Sequence, residues 1–374
     1  MLIIKNTIEK EPEYDLSQIT DKNNIIYFDI ETTGFSRKYN HIYLIGCMYY
    51  RDGILNCVQY FAENKDDEKN VLVSFYELLK GFTTIIHFNG TTFDMPFVAE
   101  RGEKYNLDFD FSKYNSVDIY KSAKPFARFL KMVNNKQKTF EQLMRIDRKD
   151  PFNGGQLIEL YNEYTKKKDE KLLSTLLLHN YEDVIYMGIL TSLLTFNEIN
   201  KCEYSVTDYK LSEQKNMYGE TFKELQINLR FKNSFGFKTS VTNKLMYISF
   251  DNNKVYISIK VLHSELKYFF PNYKDYFYLP KEDMAVHKSV ASYVDKNFRE
   301  KAKPNNCYIK KALDFIPLID SVNSSSVDSF SELFKENLKD KISYIDVLKI
   351  SDDNIFKYVE NIFNTESLSI IEKC

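Results

Sequence analysis

The sequence predicts an α/β fold with a mixed sheet, followed by a second domain that contains antiparallel strands. Over residues 25–200, short apolar runs alternate with helical patterns. The first three strands follow one another as in hairpins, whereas the fourth lies between helices, which is typical of a mixed sheet covered by helices. From about residue 203 a period-two alternation takes over. The 374 residues are enough for two or three domains.

The elements of the first half are predicted from their periodicity. Runs rich in β-branched and aromatic residues predict strands at 25–30, 41–50, 55–61 and 84–88. The 3.6-residue spacing of apolar positions predicts helices at 69–79, 95–104, 119–131, 139–145, 155–167 and 171–196.

The second half predicts strands at 225–231, 245–250 and 255–261, with a turn over Asp251, Asn252 and Asn253, and a helix over 284–303. Residues 321–331 are Ser-rich and read as a linker before an acidic, weakly helical tail. We therefore expect four segments. These are an N-terminal extension at 1–24, the α/β domain at 25–200, a β-rich accessory domain with a basic helical segment at 201–320, and the linker with the acidic tail at 321–374.

Composition excludes several classes of function. The net charge of −2 does not fit a polybasic protein, although it allows a local basic face. The five cysteines include no C-x-x-C pair, so we expect free thiols in a cytoplasmic protein. The N-terminus lacks a signal-peptide pattern, and the longest apolar run, about 13 residues, is short for a membrane span. No Gly-rich phosphate loop follows a strand, so a nucleotide cofactor is not expected.

The first motif with catalytic potential is Asp29-Ile30-Glu31, at the end of an apolar strand. Residues i and i+2 of a strand face the same side, so the two carboxylates project together. They repel each other unless a cation lies between them, and hard oxygen ligands suit Mg²⁺ or Mn²⁺. An exposed strand end would produce the same pattern without a metal.

The second motif runs from Asn89 to Asp94. A strand ends at Phe88, Asn89 and Gly90 turn the chain, and Asp94 follows Phe93 at the start of a helix. The alternative is that Asp94 only caps this helix.

The third motif is His179 and Asp183, which are i and i+4 on a predicted helix and share one face. The apolar sequence at 190–196 indicates that this helix is largely buried. A buried Asp183 needs a partner, and a metal bound by Asp29 and Asp94 would supply one. The alternative is an ordinary polar pair on a solvated face.

In their order and context, these motifs resemble the DEDD family of 3′–5′ exonucleases in the ribonuclease H-like superfamily. The sequence is similar to the proofreading exonuclease domain of family B DNA polymerases and to the stand-alone YprB-like proteins. The resemblance covers residues 25–200. It implies a ribonuclease H-like mixed sheet flanked by helices, and it also accommodates Asp118 and the stretch 138–141, to which it assigns no firm role.

The resemblance implies a two-metal phosphodiesterase. Two ions, Mg²⁺ or Mn²⁺, would be held by the four family carboxylates Asp29, Glu31, Asp94 and Asp183. Asn89 and Phe93 would contact the terminal nucleotide.

His179 departs from the family pattern. The superfamily carries Tyr-x3-Asp or His-x4-Asp at the third motif, whereas this chain has a histidine at the tyrosine spacing. We expect His179 to orient or deprotonate the attacking water, because an unperturbed imidazole titrates near neutrality. A bound metal or a partner carboxylate on the ring would instead indicate a ligand or a structural role.

The expected function is a metal-dependent 3′–5′ exonuclease that acts on single-stranded or frayed DNA or RNA, with no membrane partner. The alternatives are a non-catalytic nucleic-acid-binding or adaptor protein and a structure-selective endonuclease. Residues 281–311 hold eight basic residues against four acidic ones, with interspersed aromatic residues, and could form a nucleic-acid face. A solvated amphipathic helix would explain the same pattern.

Overall fold

Six strands in the first part of the chain form one mixed sheet in a computed structural model that describes residues 1–319, 330–364 and 368. The strands are β1 (Leu2–Thr7), β2 (Ile25–Thr32), β3 (Ile42–Arg51), β4 (Ile54–Phe61), β5 (Thr84–His87) and β6 (Asn115–Asp118). Their order across the sheet is β1-β4-β3-β2-β5-β6. The β1, β4, β3 and β2 strands pair antiparallel, and β2, β5 and β6 pair parallel. The predicted mixed sheet is confirmed.

Helices cover both faces of this sheet. The helices of this part of the chain are α1 (Glu68–Leu79), α2 (Asp94–Glu103), α3 (Ile119–Ala127), α4 (Gln137–Leu143), α5 (Gly154–Lys167), α6 (Glu170–Leu190) and α7 (Phe196–Asn200). Phe28 of β2 packs on Phe75 of α1, with ring centroids 5.1 Å apart. The next residue, Asp29, accepts a hydrogen bond from Asn180 of α6. Because side chains alternate along a strand, these contacts place α1 and α6 on opposite faces.

The chain divides into two compact units. The first consists of Met1–Ala127, Met132–Asn197 and Asn233–Lys238, and the second contains Arg128–Lys131, Glu198–Lys232 and the described residues from Thr239 onward. The first unit therefore holds the whole mixed sheet together with α1 to α6.

The second unit is built mainly from antiparallel strands, as predicted. They are β7 (Tyr204–Lys215), β8 (Thr221–Phe231), β9 (Lys238–Thr242), β10 (Met246–Asp251), β11 (Lys254–Lys260), β12 (Leu262–Phe269), β13 (Tyr276–Leu279), β14 (Met284–His287), β15 (Glu300–Lys301), β16 (Tyr308–Ile319), β17 (Phe334–Lys335) and β18 (Ile342–Asp346). One sheet has the order β7-β8-β11-β10-β9, and another has the order β14-β13-β15. The remaining strands close on themselves in the order β12-β16-β18-β17.

The helix predicted over 284–303 is wrong. This segment contains β14, the short helix α8 (Lys288–Ala291) and β15. Ala285 of β14 is buried against Ala302 and Cys307, so pairing with β13 and burial of these small side chains outweigh the local helical spacing. The basic segment of the second unit is therefore not helical as a whole.

The N-terminal extension differs from expectation, whereas the acidic tail contains a helix as expected, together with the strands β17 and β18. The N-terminal extension contains β1, which pairs with β4 from Leu2 opposite Phe61 to Thr7 opposite Asn56. An edge strand pairs with a neighbour on one side only and is often exposed, so its sequence shows little of the apolar pattern that predicts a strand. In the acidic tail, α9 (Ile355–Phe363) packs on β16, where the Tyr358 hydroxyl donates to the Pro317 carbonyl at 2.9 Å.

Residues 321–329, which make up most of the predicted Ser-rich linker, lie outside the described residues. Among the helices that the structure describes, none has the length and hydropathy that a bilayer span requires.

Candidate active site

Strand β2 carries the first two carboxylates of the site. Asp29 Oδ2 accepts a hydrogen bond from Asn180 Nδ2 at 3.0 Å, and the Asn180 side-chain oxygen accepts one from Gln59 Nε2, also at 3.0 Å. Gly46 lies opposite Asp29 in the ladder, and a Cβ on Gly46 would lie 2.1 Å from Asn180 Oδ1. The missing side chain at Gly46 thus leaves the space in which Asn180 orients Asp29.

Asp94 reaches the same end of the sheet from another element. The chain turns at Asn89, in the left-handed conformation with φ of 63°, before α2 begins at Asp94. Asp94 Oδ1 accepts a hydrogen bond from the backbone N–H of Ile30, at 3.3 Å. This bond joins Asp94 to β2 at the residue between Asp29 and Glu31. Asp94 therefore contacts the first motif in addition to starting α2.

His179 and Asp183 project from α6 toward Glu31. His179 Nε2 lies 3.3 Å from Glu31 Oε1 and 3.1 Å from Asp183 Oδ2. The other ring nitrogen, Nδ1, lies 2.5 Å from Asp150 Oδ2. The donor atoms of Glu31, His179 and Asp183 all lie within 4.8 Å of one another, an arrangement that could hold a metal ion.

The structure adds a buried cation that sequence reasoning missed. Arg148 Nη1 lies 2.5 Å from Asp183 Oδ1 and 3.1 Å from Glu141 Oε1. Its Nε is 3.4 Å from Glu182 Oε2, and Nη2 donates to the His179 carbonyl at 3.2 Å. Arg148 precedes α5 in a segment without regular structure, so no periodic signal predicted its position.

The second missed residue is Asp150, which connects Arg148 and His179. Its carboxylate also accepts from Lys138 Nζ at 2.9 Å and from the Phe152 backbone N–H at 3.1 Å. Lys138 and Glu141, in the stretch noted above, therefore contact Asp150 and Arg148 respectively. They support the site without entering the carboxylate cluster themselves.

The carboxylates have strongly perturbed pKa values. Burial raises the pKa of Glu31 and of Asp94 to about 7 each, and burial together with the charges of Asp183 and Asp94 raises that of Asp29 well above its usual range. Burial acts in the same direction on Asp183, but His179 and Arg148 outweigh it and lower its pKa. The β2 and α2 carboxylates therefore form a site where ionisation is unfavourable until a cation binds.

His179 has a shifted pKa as well. Burial lowers it, but the hydrogen bonds with Asp150 and Asp183 outweigh burial and raise the pKa of His179 to about 10. With these neighbours charged, the raised pKa favours the protonated imidazole at neutral pH, and a metal ion bound at Nε2 would displace that proton. That His179 orients or deprotonates the attacking water therefore stays a prediction.

An open cleft of about 430 Å³ leads to the site. Its lining includes Glu31, Phe93, Lys136, His179 and Asp183. Phe35, with 88% of its surface exposed, also lines the cleft and meets Phe93 at a ring-centroid distance of 6.2 Å. Aromatic faces beside a lysine suit a nucleobase and its phosphate.

Asn89 does not line this cleft with Phe93. Its backbone N–H donates to Asp118 Oδ1 at 2.9 Å, and its side-chain oxygen accepts from the Thr92 hydroxyl at 3.0 Å. Asp118 therefore stabilises the turn that precedes Asp94, and Asn89 forms part of that turn.

The fold and this acidic cleft define the class of the first unit, an RNase H-like α/β unit with a potential metal site. Residues 26–195 match the family model of the RNase_H superfamily. No curated protein sequence matches the chain.

Similar solved structures include E. coli exonuclease I in a zinc-bound complex with single-stranded DNA and a family B DNA polymerase from the archaeon Pyrobaculum calidifontis. The exonuclease shares 10% identity over 56% of this chain and 55% of its own, with a TM-score of 0.30. The polymerase shares 11% identity over 67% of this chain and 35% of its own, with a TM-score of 0.35. E. coli exonuclease I bound to a dT13 oligonucleotide shares 11% identity over 55% of this chain and 54% of its own, with a TM-score of 0.28. The match thus spans about half the length of exonuclease I and about a third of the polymerase.

Proposed function

We propose that the first unit is a metal-dependent 3′–5′ exonuclease that hydrolyses terminal phosphodiester bonds of single-stranded or frayed DNA or RNA. One observation carries the proposal: Asp29, Glu31, Asp94 and Asp183 come from three separate segments and interact electrostatically at one site. Natural folds rarely bury four carboxylates together without a cation. The match to the RNase_H superfamily supports the same class of chemistry.

The donor set fits a divalent ion. The four carboxylates offer hard oxygen ligands. The raised pKa values of Asp29, Glu31 and Asp94 mean that their ionised forms are unfavourable without an additional positive charge nearby. These residues would hold Mg²⁺ or Mn²⁺, two ions in the proposed mechanism. When bound, such ions activate a water molecule and stabilise the departing 3′-oxygen.

The remaining cleft residues would position the substrate. Phe93 and Phe35 offer faces for the terminal base, and Lys136 offers a positive charge for a phosphate. Asn180 keeps Asp29 in a fixed orientation, and Asp150 does the same for the His179 ring. A rigid supporting shell of this kind is what holds a catalytic site in a productive geometry.

One observation favours a second candidate, a protein that binds nucleic acid without cleaving it. Both oxygens of Asp183 already have cationic partners, Arg148 on Oδ1 and His179 on Oδ2. If these ion pairs persist in the presence of metal, the third-motif carboxylate is unavailable as a ligand.

A degradation assay separates the candidates. DNA and RNA oligonucleotides labelled at the 5′ end are incubated with the full chain in Mg²⁺, Mn²⁺ or EDTA. We expect a ladder that shortens from the 3′ end in the metal buffers and intact substrate in EDTA. Binding without any shortening would support the second candidate, and cleavage of a circular single strand would indicate an endonuclease.

A further inference from the structure

The His179 ring is held in one orientation by Asp150. The Asp150 carboxylate receives hydrogen bonds from Lys138 and from the Phe152 backbone, and it lies 2.5 Å from His179 Nδ1. A carboxylate with these donors is an acceptor, so Nδ1 carries the proton of this bond. The second nitrogen, Nε2, therefore faces the cleft, where His179 is among the lining residues.

At the cleft, Nε2 is one corner of a triangle of donor atoms. Glu31 Oε1 lies 3.3 Å away and Asp183 Oδ2 lies 3.1 Å away. Two ligands that each lie about 2.1 Å from one ion are separated by about 3.0–3.4 Å in octahedral or tetrahedral coordination. The observed separations match this range, and all three side chains are largely buried and held by their own elements.

We propose that His179 is a metal ligand: Nε2 binds one divalent ion together with Glu31 and Asp183, and Asp150 positions the ring. The carboxylate–histidine pair is the usual arrangement behind a metal-binding imidazole, because it fixes the tautomer and makes the ligand more basic. The proposal rests on the metal-dependent function above and names a ligand that the four carboxylates do not include.

This ligand set determines the class of metal. Mg²⁺ prefers oxygen ligands and retains its waters, whereas imidazole suits transition-metal ions. A site with Nε2 and two carboxylate oxygens should therefore prefer Mn²⁺, Zn²⁺ or a similar ion over Mg²⁺. A site made of the four carboxylates alone would show no such preference for a nitrogen-binding metal.

Pulsed electron paramagnetic resonance of Mn²⁺ bound to the full chain tests the proposal without any nuclease activity. A coordinated imidazole gives a ¹⁴N modulation, and we expect it in the wild-type protein. Growth with ¹⁵N-labelled histidine should change that modulation in the unmutated chain, so the assignment to histidine does not depend on a folded variant.

Substitutions then show which histidine binds the Mn²⁺ ion. H179Q should abolish the modulation and weaken Mn²⁺ binding at least about tenfold, and D150N should weaken it by about 10–100-fold, the usual cost of removing a supporting group. H263Q is the matched control, since His263 is exposed and bonded to Asp314, and it should keep the wild-type signal.

Two results distinguish this proposal from the proposed function. Bound Mn²⁺ without nitrogen modulation, in a protein that degrades oligonucleotides, would overturn the ligand assignment and leave the exonuclease intact. His179 would then be an imidazolium that bridges Glu31 and Asp183. Nitrogen modulation in a protein that degrades nothing would support the ligand and overturn the exonuclease.

Discussion

Arg148 is the residue on which the charge balance of the site depends. Its side chain is largely buried, and its guanidinium is within 3.7 Å of carboxylate oxygens from Glu141, Asp150, Glu182 and Asp183. A guanidinium can serve several carboxylates at once, because it presents five donors in one plane. It thus neutralises the supporting acids, whereas the carboxylates of β2 and α2 would receive their positive charge from the proposed metal ion.

We expect R148M to lower the free energy of unfolding by about 3–5 kcal/mol, because removal of one partner leaves buried carboxylates without their cation. Urea unfolding in EDTA measures the change. R230M removes an exposed arginine and should alter stability by less than about 0.5 kcal/mol. A loss below about 1 kcal/mol for R148M would mean that the fold tolerates the carboxylates of Glu141, Asp150, Glu182 and Asp183 without the Arg148 charge.

Asp29 and Asp183 should be essential for hydrolysis and dispensable for binding. D29N and D183N each remove one proposed charged metal ligand but keep the shape of the side chain, so transition-state stabilisation should be lost while phosphate contacts elsewhere remain. We expect no measurable degradation in Mn²⁺ and near wild-type affinity for an oligonucleotide in Ca²⁺. D353N, at an exposed position, serves as the control. Near wild-type turnover of D29N would contradict the site.

The raised pKa values predict a pH-dependent stability. Burial raises the pKa of Glu31 and Asp94 to about 7, above the ordinary values of 4.5 and 3.8. Protonation therefore favours the folded state, and the stability from these groups is present below about pH 4 and is lost as pH rises through 7. The pKa of His179 is raised from 6.5 to about 10, so its contribution to stability is present below pH 6.5 and is also lost as the pH rises toward 10.

A metal ion should remove this penalty, because bound carboxylates stay ionised. We expect the melting temperature in EDTA to fall from pH 5.5 to pH 8, and the gain on adding Mn²⁺ to grow over the same range. Differential scanning fluorimetry measures both. A gain that is equal at the two pH values would contradict metal binding by Glu31 and Asp94.

Helix α6 is unusual among the elements because polar side chains on several of its faces form hydrogen bonds or ion pairs with neighbouring segments. Asn180 reaches β2, Glu182 accepts from the backbone N–H groups of Lys149 and Asp150, and Asp183 meets Arg148. The helix therefore connects the sheet to the segment that carries Arg148. A helix surrounded in this way needs close contact with the sheet, which Gly46 permits.

G46A should disturb the site through this contact. The new methyl group would lie 2.1 Å from Asn180 Oδ1 and 2.9 Å from Val184 Cγ2, so α6 or the Asn180 side chain must move. We expect a loss of about 1–3 kcal/mol in stability, the usual cost of overpacking, and about 10–100-fold weaker Mn²⁺ binding. G154A, where a Cβ meets nothing within 4 Å, is the control. Unchanged Mn²⁺ affinity in G46A would mean that Asn180 does not orient Asp29.

Local periodicity explains which parts of the site could be predicted from sequence. The spacing of Asp29 and Glu31 on a strand, and of His179 and Asp183 on a helix, determines their relative positions before any tertiary contact forms. Arg148 and Asp150 lie in irregular chain, and their partners on α6 are 29 to 35 residues away, so only the folded structure brings them to the site. The helix predicted over 284–303 failed for a related reason, since long-range pairing with β13 decides that segment.

For the whole molecule, the basic segment 281–311 of the second unit remains a predicted nucleic-acid surface. Tyr293 is 92% exposed and Phe298 is 47% exposed, so aromatic faces are available beside the lysines. Arg299 already donates to the Ala291 carbonyl and lies over the Phe277 ring, which gives it a structural role. Lys296, Lys301 and Lys303 are exposed and are the better candidates for phosphate contacts.

Reversal of these three lysines to glutamate should weaken oligonucleotide binding and flatten its salt dependence. The net charge of −2 gives the whole chain no long-range attraction for nucleic acid, so local cations must bind the phosphates of the oligonucleotide. Each lost phosphate contact should reduce the log–log slope of affinity against salt by about 0.7 for a single strand. Fluorescence anisotropy at several salt concentrations, in Ca²⁺, measures this slope. Reversal of Lys210, Lys215 and Lys254, exposed on other strands of the same unit, makes an equal change in charge and should leave the slope closer to wild type. If both triple variants lower the slope equally, general charge and not the 281–311 surface holds the nucleic acid.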